Sequence, residues 1–213
     1  MRAMSSLIII TGCPGTGKSH LAGMLRNRFP GLTSLSYDSF KEANWDKYGF
    51  DSAAEKAALN RRSLAEFYDA VAACLRAGDD VLIEYPFNQS HVPALRRILA
   101  ETGARAFTLY LHGDMEVLYR RSADRDDRDH RHPGHLYSAY HKGVAPGAEE
   151  SCRLTYDEFI ADCGRKDYDI RLGECVSMDV TDLSAIDYDA AFEALEARAG
   201  LTSCPAPEEG ERS

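Results

Sequence analysis

With 213 residues, 34 of them acidic and 25 basic, the chain carries a formal net charge of −9. That length suits one domain with an appended flap rather than two full domains, and the acidic surplus disfavours life on a phosphate backbone, although a local basic groove would override the total. The cysteines, Cys13, Cys74, Cys152, Cys163, Cys175 and Cys204, form no Cys-x-x-Cys pair and read as reduced thiols. With no signal-peptide layout and no apolar run of membrane length, a cytoplasmic location is expected.

The first strand is expected over Leu7 to Ile10, an apolar and mostly β-branched run ending in Thr11, as in a parallel strand buried on both faces. Gly12-Cys13-Pro14-Gly15-Thr16-Gly17-Lys18-Ser19 follows at the spacing Gly-x-x-x-x-Gly-Lys-Ser/Thr, a Walker A phosphate loop. Glycines let the backbone fold into a concave nest of N–H groups around a polyphosphate, and the helix that begins near Lys18 adds its positive end. Gly12 through Ser19, with His20 after them, therefore form the expected ATP cradle. Lys18 would reach the β- and γ-phosphates, and the Ser19 hydroxyl would be a ligand of the bridging Mg2+.

The first helix continues through Phe29 and stops at Pro30-Gly31. A short strand around Thr33 to Ser36 then delivers Tyr37-Asp38-Ser39-Phe40-Lys41 at its carboxyl end, where open α/β sheets place their ligands. A long helix is expected from Ser52 to Ala77, a strand from Asp80 to Glu84, a helix from Val92 to Glu101 with Pro93 in its first turn, and a strand from Arg105 to Leu111. Asp114 has the look of a helix N-cap. Arg120 to His141, dense in Arg, Asp and His with little apolar periodicity, reads as a mobile flap. A short helix over Leu154 to Cys163, a fifth strand over Glu174 to Asp179, a last helix over Tyr188 to Arg198 and a disordered tail complete the chain. The alternation argues for an α/β P-loop NTPase fold: a five-stranded parallel sheet with helices on both faces, a domain over residues 1–200 with an Arg-rich lid at about 120–150, and a tail over 201–213.

A Walker A loop says only that a nucleoside triphosphate binds. The reaction has to come from other residues. Asp38 is the candidate base, since phosphorylating an alcohol requires an acceptor for the attacking hydroxyl proton facing the γ-phosphate; the alternative is an N-cap for the helix that follows. Lys41, one turn along, would hold an anionic substrate group or pair with Asp38, if it is not merely solvated. Glu84 closes its strand as a Walker B acid would, able to orient a metal-bound water or a substrate hydroxyl, with solvent exposure the alternative. Tyr85, Phe87 and Asn88 are weaker pocket candidates. Arg121, Arg125 and Arg128 share one helical face and suit a lid closing on the transferring phosphoryl group, unless Asp124, Asp126, Asp127 and Asp129 neutralise them. His130, His132, His135 and His141 lack a zinc-like helical spacing, and contact with substrate suits His132 or His135 better than metal. Asp179 and Thr181 fall where adenine-binding loops often lie.

On these residues the chain resembles the small P-loop kinase group of zeta toxins, chloramphenicol phosphotransferase and the kinase domain of polynucleotide kinases. The resemblance spans roughly residues 5 to 200 and rests on Walker A, Asp38-Ser39-Phe40-Lys41-Glu42, Arg121 to Arg125 and His132-Pro133-Gly134-His135. It implies a hydroxyl-activating role for Asp38. In polynucleotide kinases the position matching Lys41 is an arginine that clamps phosphate, which a lysine replaces with a point charge. The expected reaction is transfer of the ATP γ-phosphate to a small-molecule hydroxyl, with Lys18, Asp38, Arg121 and Arg125 catalytic and Asp38, Lys41, Glu84 and Arg128 around the acceptor. A polynucleotide or nucleoside 5′-hydroxyl kinase and a non-kinase nucleotide-driven switch or ATPase are the alternatives. Nucleic acid and membrane are not expected partners, and the chain would be a monomer or homodimer.

Overall fold

The computed structural model describes residues 4–128, 132–144 and 154–201, the side chains of 126–128 excepted. Strands β1 (Ser6–Gly12), β2 (Thr33–Ser36), β3 (Val81–Glu84), β4 (Arg105–His112) and β5 (Glu174–Asp179) form one parallel sheet in the order β2-β3-β1-β4-β5. Strand β1 is central because its apolar run has no polar face to offer solvent: Leu7, Ile8, Ile9 and Ile10 are all fully buried.

Alternation along β1 divides the core in two. Ile8 and Ile10 pack with α1 (Lys18–Arg28), α5 (Met115–Arg128), α7 (Tyr156–Lys166) and α8 (Tyr188–Ala199) through Leu21, Leu25, Leu118, Phe159, Phe192 and Leu195. Leu7 and Ile9 pack with α2 (Tyr37–Tyr48), α3 (Ala53–Ala77) and α4 (Val92–Thr102) through Tyr37, Phe67, Val71, Leu75, Leu95 and Ile98. Helices thus cover both faces, as expected. Each of these buried side chains stabilises the fold by about 1.5–3 kcal/mol relative to exposure.

Helix ends follow local chemistry. The Ser52 side chain accepts from Glu55 N–H to start α3, and Gly78 ends it in the left-handed region at φ 92°. Thr155 and Glu158 form a reciprocal capping box at α7. Asp114 Oδ1 accepts from the N–H groups of Glu116 and Val117 at 3.0 Å each, the cap expected of it.

The flap departs from expectation. Its first part is a continuous helix to Arg128, because Leu118 anchors α5 in the core and charged partners one turn apart, such as Glu116 and Arg120 at 4.0 Å, suit an exposed helix. Its second part is pinned to α2. A short helix α6 (Pro133–Leu136) sets Gly134 against Trp45 so closely that a Cβ would overlap the indole, and Phe50 and Tyr140 exchange two backbone hydrogen bonds of 2.8 Å. Residues 129–131, 145–153 and 202–213 lie outside the described set, and with them His130, Cys152, Cys204 and the expected tail. No helix among the described residues is long and apolar enough to cross a membrane.

Candidate active site

The turn after β1 opens at the carboxyl edge of the sheet between β3 and β4. Gly12 sits at φ 144° and Gly15 at φ 83°; a Cβ on either would overlap a backbone carbonyl, of Leu111 and Leu118 respectively. These close approaches seat the loop on β4 and α5. Lys18 is buried and its ammonium folds back on the loop, donating to Gly12 O at 3.0 Å, Cys13 O at 2.8 Å and Thr16 Oγ1 at 3.3 Å. Burial pushes its pKa down to about 8, partly opposed by Glu84.

In front of the loop lies a cleft of about 390 Å3. Lys18, Ser19, Asp38, Lys41, Glu84 and Arg125 all line it, so one space gathers the principal charged candidates from four separate elements. Ser19 Oγ lies 3.2 Å from both carboxylate oxygens of Glu84, whose pKa is raised by burial against the opposing pull of Lys18. Asp38 is not the N-cap of α2: Ser36 holds that place, and Asp38 lies in the first turn, where the helix dipole favours its charge. Its Oδ1 pairs with Lys41 Nζ at 2.5 Å. The buried Lys41 ammonium is enclosed by the rings of Tyr37, Trp45 and Tyr85, 5.0 to 5.4 Å from their centroids.

Other expected residues are placed differently. Arg121 does not line the cleft: its guanidinium donates to Val180 O at 2.5 Å and Thr181 O at 2.8 Å, fastening the loop after β5 to α5. Being one helical turn from Arg125 put it on the same stripe in sequence, but the carbonyls beyond β5 claim its donors. Arg128 is the last residue of α5, and its side chain is not described. His20, exposed, sets its ring edge-on to Tyr188 rather than lining the cleft. Phe87 is fully buried in the core and Asn88 caps the turn at 89–91, which leaves Tyr85 and Pro86 as the cleft residues of that loop.

The flap histidines face α2. His132 Nε2 lies 2.9 Å from Asp46 and His135 Nε2 lies 2.9 Å from Glu42, with Trp45 packed against both rings. His135 also reaches the cleft wall. No cluster of three or more metal-ligating side chains occurs among the described residues. Tyr119, Ser122, Ala123, Leu136, Leu154 and Phe159 also line the wall. Sequence reasoning missed them, since small and apolar residues carry no chemical signature until a fold gathers them.

A family model described as an AAA domain matches residues 8–140, more than half of the chain. No curated protein matches in sequence. Among solved structures, a candidate kinase from Chloroflexus aurantiacus superposes with a TM-score of 0.71 at 23% identity, covering 91% of this chain and 98% of its own. The tunicamycin resistance protein of Deinococcus radiodurans gives 0.55 at 17%, covering 95% and 99%, and a sugar kinase from Janibacter sp. HTCC2649 gives 0.50 at 19%, covering 90% and 92%. Likeness at these identities concerns the fold. With the phosphate loop on the central strand of a five-stranded parallel sheet and the family match over that same region, the chain belongs to the AAA domain family and has a P-loop NTPase fold.

Proposed function

We propose that the chain is a kinase that moves the γ-phosphate of ATP to a hydroxyl of a small molecule. The observation that carries the reading is the cleft, in which the phosphate-loop lysine, a carboxylate from the α2 start and an arginine from α5 share one space. The description of fold neighbours as kinases agrees with it.

Lys18 exchanges its loop carbonyls for phosphate oxygens when ATP enters. Asp38, held by Lys41, accepts the proton of the acceptor hydroxyl as that oxygen bonds to the γ-phosphorus and the bond to the β-γ bridging oxygen breaks, releasing ADP. In a loose transition state the demand on Asp38 is chiefly orientation, which the caged lysine supplies. Arg125 stabilises charge gathering on the transferring group. Ser19 and Glu84 offer hard oxygen ligands side by side, directly or through water, as Mg2+ requires. When bound, that ion neutralises charge across the β- and γ-phosphates.

The cleft suits a small acceptor. Its walls carry Tyr85, Tyr119, Leu136, Leu154 and Phe159, and among the described residues the basic side chains that line it are Lys18, Lys41 and Arg125, gathered around one space rather than along a track for a polynucleotide. The test is Asp38→Asn. Fluorescent-ATP binding within about threefold of the parent, with acceptor-dependent ADP release lowered on the order of 100- to 10,000-fold, is expected. Equal loss of binding and turnover would make Asp38 a structural residue instead.

A further inference from the structure

The indole of Trp45 meets the proposed active centre on one side and the flap on the other. On α2 it stands one helical turn after Lys41 and two after Asp38, so the three side chains share one stripe of the helix. Lys41 Nζ lies 5.4 Å from the indole centroid, and the same ammonium pairs with Asp38 Oδ1. From the flap, the His135 ring meets the indole edge-on at 4.8 Å, and Gly134 passes so close to its Cε3 that only a residue without a Cβ fits. We infer, on the reading of Asp38 as the base, that Trp45 is a positioning residue coupling the flap to it: a docked flap holds the indole on Lys41, and Lys41 holds the Asp38 carboxylate.

Trp45 has little freedom to absorb a displacement. It is 1% exposed, its Nε1 donates to Asn60 Oδ1 on α3 at 3.0 Å, and Phe50 packs edge-on against it at 5.9 Å. In a close-packed interior a pushed ring moves its neighbours, because there is no void to take it up. The flap is fastened on its own side as well. His132 Nε2 and Lys142 Nζ both reach Asp46, at 2.9 and 2.7 Å, and Lys56 donates to Tyr137 O at 3.1 Å.

Lys41 is buried, so the faces of Trp45, Tyr37 and Tyr85 do for its charge part of what water would do outside. Loss of the Trp45 face lets the ammonium shift toward the other two rings, and the carboxylate it holds swings with it. Turnover should then fall on the order of 10- to 100-fold, while nucleotide binding at the phosphate loop changes little.

The full-length protein is labelled with carbon-13 at the aspartate carboxyls, and the Asp38 resonance is assigned by its loss in Asp38→Asn. Lys41→Met then shows where that resonance lies without the ion pair. Gly134→Ala and Trp45→Leu should each move it in the same direction at pH 7, Trp45→Phe, which keeps a ring, should move it less, and Gly134→Ala should add nothing once Lys41→Met is present. Fluorescent-ATP binding like the parent's reports folded protein, and should Trp45→Leu fail to fold, Gly134→Ala decides. An Asp38 resonance unmoved in Gly134→Ala would overturn the proposal, as would an equal displacement by Gly134→Ala with and without Lys41. The resonance is read with no acceptor present, so a failure to find phosphoryl transfer would remove the kinase reading and leave the coupling standing.

Discussion

The protonation of Lys18 couples nucleotide binding to pH. Burial holds its pKa at about 8 against an ordinary 10.5 in the free protein, whereas phosphate oxygens beside the ammonium favour the charged form and raise it again. At pH 9 only roughly one free molecule in eleven keeps the charge, so binding must first recruit a proton. The apparent dissociation constant for ATP should rise about tenfold from pH 7 to pH 9, a cost of about 1.4 kcal/mol, with uptake of about 0.9 proton per ATP at pH 9. Calorimetry in buffers of differing ionisation heat measures both quantities. Lys18→Arg, charged throughout, should bind with a flat profile. The empty protein carries the reciprocal signature. Because the folded pKa lies below the unfolded one, the unfolded chain holds more protons between about pH 8 and 10.5, and unfolding free energy rises with pH across that window. The gain relative to Lys18→Met should reach at most about 3 kcal/mol. Constant affinity from pH 7 to pH 9 with no proton uptake would refute the reasoning.

Arg121 and Arg125, one turn apart, should fail in different assays. Arg121→Ala removes two carbonyl hydrogen bonds and should lower stability by about 1–3 kcal/mol in urea unfolding, while Arg125→Ala should lower kcat more than ATP affinity. Unchanged stability in Arg121→Ala would show that Arg121 fastens nothing. Gly134→Ala pushes a methyl into Trp45, the only tryptophan of the chain. It should shift the indole emission and destabilise by about 1–3 kcal/mol, and an unchanged spectrum would mean that the flap does not rest on that ring.

Much of the fold was legible because β1 and its loop encode their role in adjacent residues. An unbroken apolar run has only a central strand to occupy, and Gly-x-x-x-x-Gly-Lys-Ser has a geometry that few other sequences adopt. The strand spans agreed to within a few residues for the same reason. Tertiary partners were not legible. Arg121 and Arg125 have the same local pattern, and only the carbonyls beyond β5 distinguish them. His132 and His135 were expected to contact substrate rather than metal, and the carboxylates they face, Asp46 and Glu42, lie 86 and 93 residues earlier, out of reach of any local pattern. The charged run after Leu118 concealed a helix, since a single buried leucine gives little apolar period to read. Lys41 was open between pairing and substrate contact. Its ring cage comes from three places in the sequence, Tyr37, Trp45 and Tyr85, of which the two nearest lie on its own helix.

The central claim is that the cleft before the phosphate loop holds an alcohol in line with ATP. Incubation with γ-32P-ATP, Mg2+ and a panel of nucleosides, sugars, aminoglycosides and oligonucleotides measures it directly, by asking where the label goes. The account predicts label on the hydroxyl of a small acceptor, formed by the parent protein and lost in Asp38→Asn. Label released only as inorganic phosphate whatever the acceptor, or carried on oligonucleotide ends alone, would contradict it.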